Sequence, residues 1–334
     1  MVALYVTSLE KAAGKTAVGA GLGKYLLGNG KKVGFLKPLI AVTESLSPEG
    51  VDSDAVFMKH ILALEEPVDA LCPVISDKDN LVGGIKEACT RVSQGKDVVI
   101  IEGMGKPSPA YFKVVEALDA RVIIVEGYSD RLPTARLIAG GEEWGEYLLG
   151  AVVNKVPGSQ LEHVSGEVSK AGISILGVLP EDRALFTLTV GELAEHIHGE
   201  ILNSAEKSGE LVENIMLGAM TVDSGPEYFG RKADKAVIVR GERPDMQLAA
   251  LETPTTCLVI SGEEAPIPSV LYNAESMKVP IILTRGDVAA TVADIEDALG
   301  KVRFNQEGKL PRLGEIMEQY FNFPAVYKGL GLTK

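Results

Sequence analysis

Short unbroken apolar runs alternate along this chain with stretches whose apolar residues recur at helical spacing. The run Asp97-Val-Val-Ile-Ile-Glu102 is apolar on both sides of its zigzag, the mark of a strand covered on both faces. Ala3–Thr7, Lys32–Lys37, Arg121–Val125, Gly150–Asn154 and Ser174–Leu179 share that character. Between them, Lys15–Leu27, Ser53–Leu64 and Leu81–Ser93 predict helices, and in the second Ala55, Met58, Ile61 and Leu62 form one apolar face. Strands alternating with helices imply right-handed crossovers and a parallel sheet with helices on both faces. In such sheets, ligands bind outside the carboxyl ends of the strands.

The pattern pauses from Pro180 to Thr189 and then resumes. Helices are predicted over Val190–His198, Met246–Leu251, Ser269–Met277 and Val288–Leu299. Strands are predicted over Ile215–Met220, Lys235–Arg240, Cys257–Ser261 and Pro280–Leu283. At 334 residues the chain exceeds most single cores. The pattern divides it into a first α/β domain over 1–185, a smaller α/β domain over 186–300, and a tail over 301–334. The tail carries one helix, Arg312–Tyr320, and an aromatic end that packs back or pairs with another subunit.

Composition narrows the function. The formal net charge of −13 argues against a general nucleic-acid or anionic-membrane surface, since both need clustered Lys and Arg. No apolar run approaches the ~18 residues of a membrane span. The N-terminus, Met1-Val-Ala-Leu-Tyr-Val-Thr7, reads as a strand and not a signal peptide, so a cytoplasmic address is expected. Cys72, Cys89 and Cys257 have no close spacing and fit buried thiols. His196 and His198 point to opposite sides of their predicted helix, which disfavours a metal there.

The chemistry concentrates in Ser8-Leu-Glu-Lys-Ala-Ala-Gly-Lys-Thr16, between the first strand and a long helix. Backbone amides in such a loop point at phosphate oxygens, and the helix dipole favours negative charge. Ser8, Glu10, Lys11, Ala12, Ala13, Gly14, Lys15, Thr16 and Ala17 are therefore candidate nucleotide-binding residues. Lys15 reaches the β- and γ-phosphates, and Thr16 offers its hydroxyl to magnesium. The usual spacing puts Leu9 where glycine is expected; a positive φ there would cost about 1–2 kcal/mol. A loop one residue longer starts at Ser8. Asp54 and Glu102 are hard oxygen ligands suited to Mg2+, Lys37 adds charge near a transferring phosphoryl group, and Asn154 can pair with an adenine edge. The alternative for Asp54 is a helix N-cap worth about 1 kcal/mol; the alternative for Lys37 is plain surface charge. A carboxylate ending a buried strand, as Glu102 does, is costly without a partner.

With those residues in place, the first part of the chain resembles dethiobiotin synthetase and its relatives, whose phosphate loop has the extra residue. Gly34-Phe-Leu-Lys-Pro38 resembles the family's strand-end lysine-proline motif, Ser53-Asp-Ala55 its helix-starting acid, and Val99-Ile-Ile-Glu-Gly103 the strand ending in a magnesium ligand. Val153-Asn-Lys155 is similar to its base-contacting asparagine, and Leu176-Gly-Val-Leu-Pro180 to its adenine-side loop, which makes Pro180 a candidate. The resemblance implies a P-loop NTPase fold, ATP and Mg2+, Lys15 and Lys37 as catalytic residues, metal ligation by Thr16, Asp54 and Glu102, and a homodimer. Related dimerising ATPases carry a second lysine five residues before the loop lysine; Glu10 stands there, which argues against trans-activation.

Thr189–Leu299 resembles the DRTGG domain through Leu217-Gly-Ala-Met220, Gly241-Glu-Arg-Pro-Asp245, Ala249-Ala-Leu-Glu252 and Val259-Ile-Ser-Gly262. Glu242-Arg-Pro replaces Asp-Arg-Thr of the signature, and Ser261-Gly-Glu replaces its Gly-Gly segment. Arg243 sits either in an anion-facing turn or in a structural ion pair. The combination resembles the N-terminal region of long phosphotransacetylases, a region associated with regulation by metabolites. Acetyl transfer belongs to a further domain that these residues do not contain. Two functions follow as expectations: an ATP-binding regulatory module with slow hydrolysis and a metabolite-sensing second domain, or an ATP-dependent ligase acting on a small carboxylate or amine. Leu39-Ile-Ala-Val-Thr43 and Met104-Gly-Lys-Pro-Ser108 stand where the synthetase has its substrate residues, which argues against biotin chemistry itself.

Overall fold

The structure is a computed structural model and describes residues 1–40, 52–75, 80–103, 108–129, 134–170, 172–219 and 225–332. Met220 and most of the two substrate-loop segments, 41–43 and 104–107, lie outside the described residues. The chain forms two compact units, Met1–Asp182 with Phe304–Lys334, and Arg183–Arg303.

The first unit runs β1 (Val2–Thr7), α1 (Lys15–Gly28), β2 (Val33–Leu36), β3 (Leu39–Ile40), α2 (Ser53–Ile61), α3 (Val68–Leu71), β4 (Val74–Ile75), α4 (Leu81–Val92) and β5 (Val98–Glu102). It continues with α5 (Pro109–Leu118), β6 (Arg121–Gly127), α6 (Thr134–Trp144), β7 (Leu148–Val156), α7 (Leu161–Lys170) and β8 (Ile175–Pro180). Six strands form one parallel sheet in the order β2-β5-β1-β6-β7-β8, flanked by helices. This is the arrangement that unbroken apolar strands demand: every residue of β5 is buried, and so are Ala3 to Thr7 of β1. Two predicted helices end early for one reason. Ala63 and His198 adopt left-handed backbone, with φ of 50° and 51°, and stop the helices at Ile61 and His196.

The second unit contains β9 (Leu188–Thr189), α8 (Val190–His196), β10 (Glu200–Ile201), β11 (Leu211–Val212), β12 (Asn214–Leu217), α9 (Gly225–Phe229) and β13 (Lys235–Arg240). It ends with α10 (Pro244–Leu251), β14 (Thr255–Ser261), α11 (Pro268–Met277), β15 (Ile281–Thr284) and α12 (Val288–Gly300). Its five-stranded sheet has the order β10-β15-β14-β13-β12, with only β10 antiparallel. One core cluster gathers Met216, Phe229, Val237 and Met246, and a second gathers Val190, Leu193, Ile238 and Ile295. Alternate residues of β13 thus feed opposite cores.

The chain then returns to the first unit through α13 (Leu310–Tyr320) and α14 (Phe323–Gly329). A Cβ on Gly21 of α1 would lie 2.0 Å from Met317 Sδ, so the absent side chain lets α13 lie directly on α1. Phe323 stacks on Tyr25 with ring centroids 3.6 Å apart. Phe321 bridges Gly177, and the Asn322 amide donates to Leu176 O at 2.6 Å, which occupies part of the outer edge of β8.

Candidate functional site

The loop after β1 begins with buried Ser8, whose hydroxyl donates to Glu10 O at 2.6 Å. Lys15 at the start of α1 folds back, its Nζ donating to Ser8 Oγ at 3.0 Å. Gly14 has φ 100°, and a Cβ there would fall 2.1 Å from Asn154 Nδ2. The predicted strain at Leu9 is not found: among the loop's non-glycine residues, Ala12 takes the positive φ, at 56°. Two consecutive residues at the end of β7 hold that turn. Asn154 Nδ2 donates to Ala13 O at 2.9 Å, and Lys155 Nζ donates to Ala12 O at 2.9 Å. Each such bond is worth about 1 kcal/mol, enough together to offset an alanine at positive φ.

A second group of side chains meets the first at Thr16. Its hydroxyl lies 3.1 and 3.2 Å from the two carboxylate oxygens of Glu102, which ends β5. Lys37, just past β2, sends its Nζ among three carboxylates: Asp54 Oδ2 at 2.6 Å, Asp52 Oδ2 at 2.9 Å and Glu102 Oε1 at 3.8 Å. Lys37 is therefore not plain surface charge. Asp52 also caps α2, accepting from the Ala55 amide at 2.9 Å. The N-cap reading of Asp54 is thereby corrected: the cap is Asp52, and Asp54 turns from the first helical turn to Lys37.

The electrostatics of this group are mutual. Burial opposes the charge of Lys37, but Glu102, Asp54 and Asp52 outweigh it and hold its pKa above the ordinary lysine value. Burial pushes the Glu102 carboxyl up to about 7, against the attraction of Lys37 and with the repulsion of Asp54. Among the described residues no three His, Cys, Asp or Glu side chains stand close enough to chelate a metal by themselves. One hydroxyl and two carboxylates of hard oxygen chemistry nonetheless fit Mg2+, which keeps waters and phosphate oxygens in its shell and needs few protein ligands.

Ser8, Lys15, Thr16, Lys37, Asp54, Glu102 and Asn154 thus converge on the carboxyl edge of one sheet. Ala13 of the loop and Ala17 of α1 are buried, and Lys11 is exposed. Pro180 ends β8 beside Val156, and among the described residues no hydrogen bond or ion pair joins it to the loop. Glu10 turns away from Lys15 and pairs with Arg136 of α6. Asp52, Glu126, Arg136 and Lys155 all touch this machinery without having been singled out by spacing. In the second unit, a cleft of about 280 Å³ opens at the ends of β12 and β13, lined in part by Leu217, Gly218, Ile238, Arg240, Glu242 and Arg243. Arg243, which lines this cleft, also forms a two-pronged pair with Asp245, at 2.9 and 2.8 Å.

A parallel sheet with a glycine-started helix after its central first strand, and a lysine-threonine pair opening that helix, defines a P-loop nucleotide-binding α/β protein. The chain belongs to the AAA-domain family: that family's model matches residues 2–187, and the DRTGG-domain model matches residues 192–298. Phosphate acetyltransferase of Nitrosomonas europaea is 24% identical over 97% of this chain and 50% of its own length. That of Nitratidesulfovibrio vulgaris is 21% identical over 96% of this chain and, again, 50% of its own length. The chain spans about half the length of the curated relatives it matches. Among solved structures, the nucleotide-binding protein in complex with ADP from Archaeoglobus fulgidus is 21% identical, covering 54% of this chain and 82% of that one, with a TM-score of 0.37. No helix among the described residues is long and apolar enough to cross a membrane.

Proposed function

We propose that this protein binds ATP with Mg2+ as a cytoplasmic regulatory module, hydrolyses it slowly, and senses a small metabolite through its second unit. The observation that carries this reading is the meeting of Lys15, Thr16, Glu102 and Lys37 at the carboxyl edge of one sheet, where a polyphosphate, its metal and a transferring phosphoryl group would each find a partner. Lys15 leaves Ser8 for the β- and γ-phosphates. Thr16, Glu102 and Asp54 hold the metal, which when bound supplies Lewis-acid stabilisation of the phosphate charge. Lys37, already gripped by three carboxylates, faces the terminal phosphate. Asn154 and Pro180 border the base, and the Arg240 cleft is the site for the effector. The relatives' name adds a setting, acetyl-phosphate metabolism, and the reading includes a homodimer.

The test is thermal unfolding with and without Mg-ATP. Ligand at 100 times its dissociation constant stabilises by about 2.7 kcal/mol. Lys15→Ala should abolish that gain; an equal gain in the variant would place the nucleotide elsewhere. A second reading, an ATP-dependent ligase for a small carboxylate or amine, draws on the cluster around Lys37, which could seat a charged substrate beside the γ-phosphate. It requires that one member of a metabolite panel accelerate ADP release.

A further inference from the structure

Two connections tie the phosphate loop to α6, a third anchors α6 to β6, and none involves the cluster around Lys37. Glu126, the next-to-last residue of β6, is fully buried, and the Leu9 amide of the loop is turned to its carboxylate. Arg136 Nη2 meets it at 3.0 Å. The other arm of the same guanidinium, Nη1, reaches Glu10 Oε1 on the loop. Beside these, Leu9 packs over α6, its Cδ2 only 3.2 Å from where a Cβ on Gly140 would stand. Leu9 therefore uses the room that a glycine at its own position would leave empty.

A single arginine thus spans a carboxylate of the rigid scaffold and a carboxylate of the loop. Burial pushes the Glu126 carboxyl up, Arg136 opposes that push, and the charge on Glu10 adds to it. The two ends differ in kind. Glu126 is shielded from water, whereas Glu10 and Arg136 are half-exposed, so salt weakens only the loop end. A polyphosphate brings further negative charge to this loop, and an unneutralised Glu10 would repel it.

We propose that Arg136 is a positioning residue of the phosphate loop: anchored by Glu126, it holds and neutralises Glu10 so that the loop keeps a shape and charge that admit a polyphosphate. This rests on the nucleotide reading above for its ligand, though not for its geometry. The guanidinium acts through Glu10 and does not itself touch the phosphates.

Titration calorimetry with ADP and with Mg-ATP, at low and high salt, tests it. Arg136→Ala should weaken binding about tenfold at low salt and less at high salt. Adding Glu10→Gln to that variant should restore affinity to within about twofold, and Arg136→Lys should fall between. Arg136→Ala also uncovers Glu126, so the comparison is repeated with Glu126→Gln, which removes the buried charge and keeps a side-chain oxygen to accept from the Leu9 amide. Unchanged affinity in Arg136→Ala overturns the proposal. So does a loss that Glu10→Gln fails to restore, because the guanidinium would then be contacting the ligand. Amide exchange over Leu9–Gly14 without nucleotide supplies a separate readout: Arg136→Ala should accelerate it, and unaltered exchange overturns the holding role. Failure of the wild type to bind nucleotide would defeat the ATP reading alone, and the exchange measurement would still decide whether Arg136 holds the loop.

Discussion

The side-chain nitrogen of Asn154 lies 2.1 Å from the point where a Cβ on Gly14 would stand. The end of β7 and the start of α1 are fitted together at that point, and the fit depends on a residue with no side chain. Gly14 also has φ 100°, a conformation L-residues rarely adopt. Gly14→Ala should therefore cost about 1–2 kcal/mol in backbone strain and about 1 kcal/mol more for the displaced Asn154–Ala13 hydrogen bond. Urea unfolding of the nucleotide-free variant measures the sum. Stability equal to wild type would mean that Asn154 moves aside freely and the clamp on the loop is loose.

Lys37 sits among three carboxylates, two of them in contact at 2.6 and 2.9 Å. Removing one partner of a buried ion pair leaves the others uncompensated and typically costs about 3 kcal/mol or more. Lys37→Ala should lose about that much at pH 8, and less near pH 5, where protonation relieves the repulsion. Urea denaturation at the two pH values checks both size and trend. Lys37→Arg, which keeps the charge, should recover most of the loss.

How much of this was legible before folding depends on the reach of each signal. The buried strands were, since an unbroken apolar run carries its own evidence; Lys235–Arg240 matches β13 residue for residue. The pair β3 and β4, two residues each, is too short to show any period. Asp52, Ser53 and Asp54 can all cap a helix, so the identity of the cap turns on where the first turn begins, which spacing does not specify. The clearest lesson concerns Glu126. Val99-Ile-Ile-Glu-Gly103 and Ile123-Ile-Val-Glu-Gly127 share one pattern, and a carboxylate at the end of a buried run needs a partner in both. Applied to the second run, that rule reaches Glu126. It could not reach Arg136 as the partner of Glu10, because those residues are 126 apart in sequence and only the folded sheet brings them together.

Glu102 gives the site a pH signature. Burial lifts its folded-state pKa from 4.5 to about 7, so between those values the metal-free folded protein holds a proton that the unfolded chain releases. Stability from this group is thus full below about pH 4.5 and declines as pH rises through 7. Glu102→Gln abolishes the dependence. Without metal it should gain on wild type as pH rises from 5 to 8, by an amount of order 2 kcal/mol. Mg2+ with ATP should reverse that order at pH 8 by favouring the charged carboxylate of the wild type. Parallel stability curves for the two proteins in chelator would show that Glu102 does not carry the proton.

The C-terminal return ties the last helix to α1 through aromatic contacts. Phe323 is buried, stacks on Tyr25 of α1 with rings 7° from parallel, and lies 4.9 Å from Phe321 between centroids. Tyr25 meets the edge of Tyr327 as well, so one aromatic on the nucleotide helix is held by two from the last helix. Truncating a buried phenylalanine costs about 3–5 kcal/mol when the cavity cannot collapse. The stacked Tyr25 is partly exposed and can relax, which puts Phe323→Ala at the lower end, about 3 kcal/mol. The loss should appear in the unfolding of the first unit, because α13 and α14 belong to it. Hydrogen exchange along α1 reports this directly: its amides should lose protection in Phe323→Ala, while those of β13 in the second unit keep theirs. Protection lost only at the C-terminus itself would show α14 to be an appendage that α1 does not need.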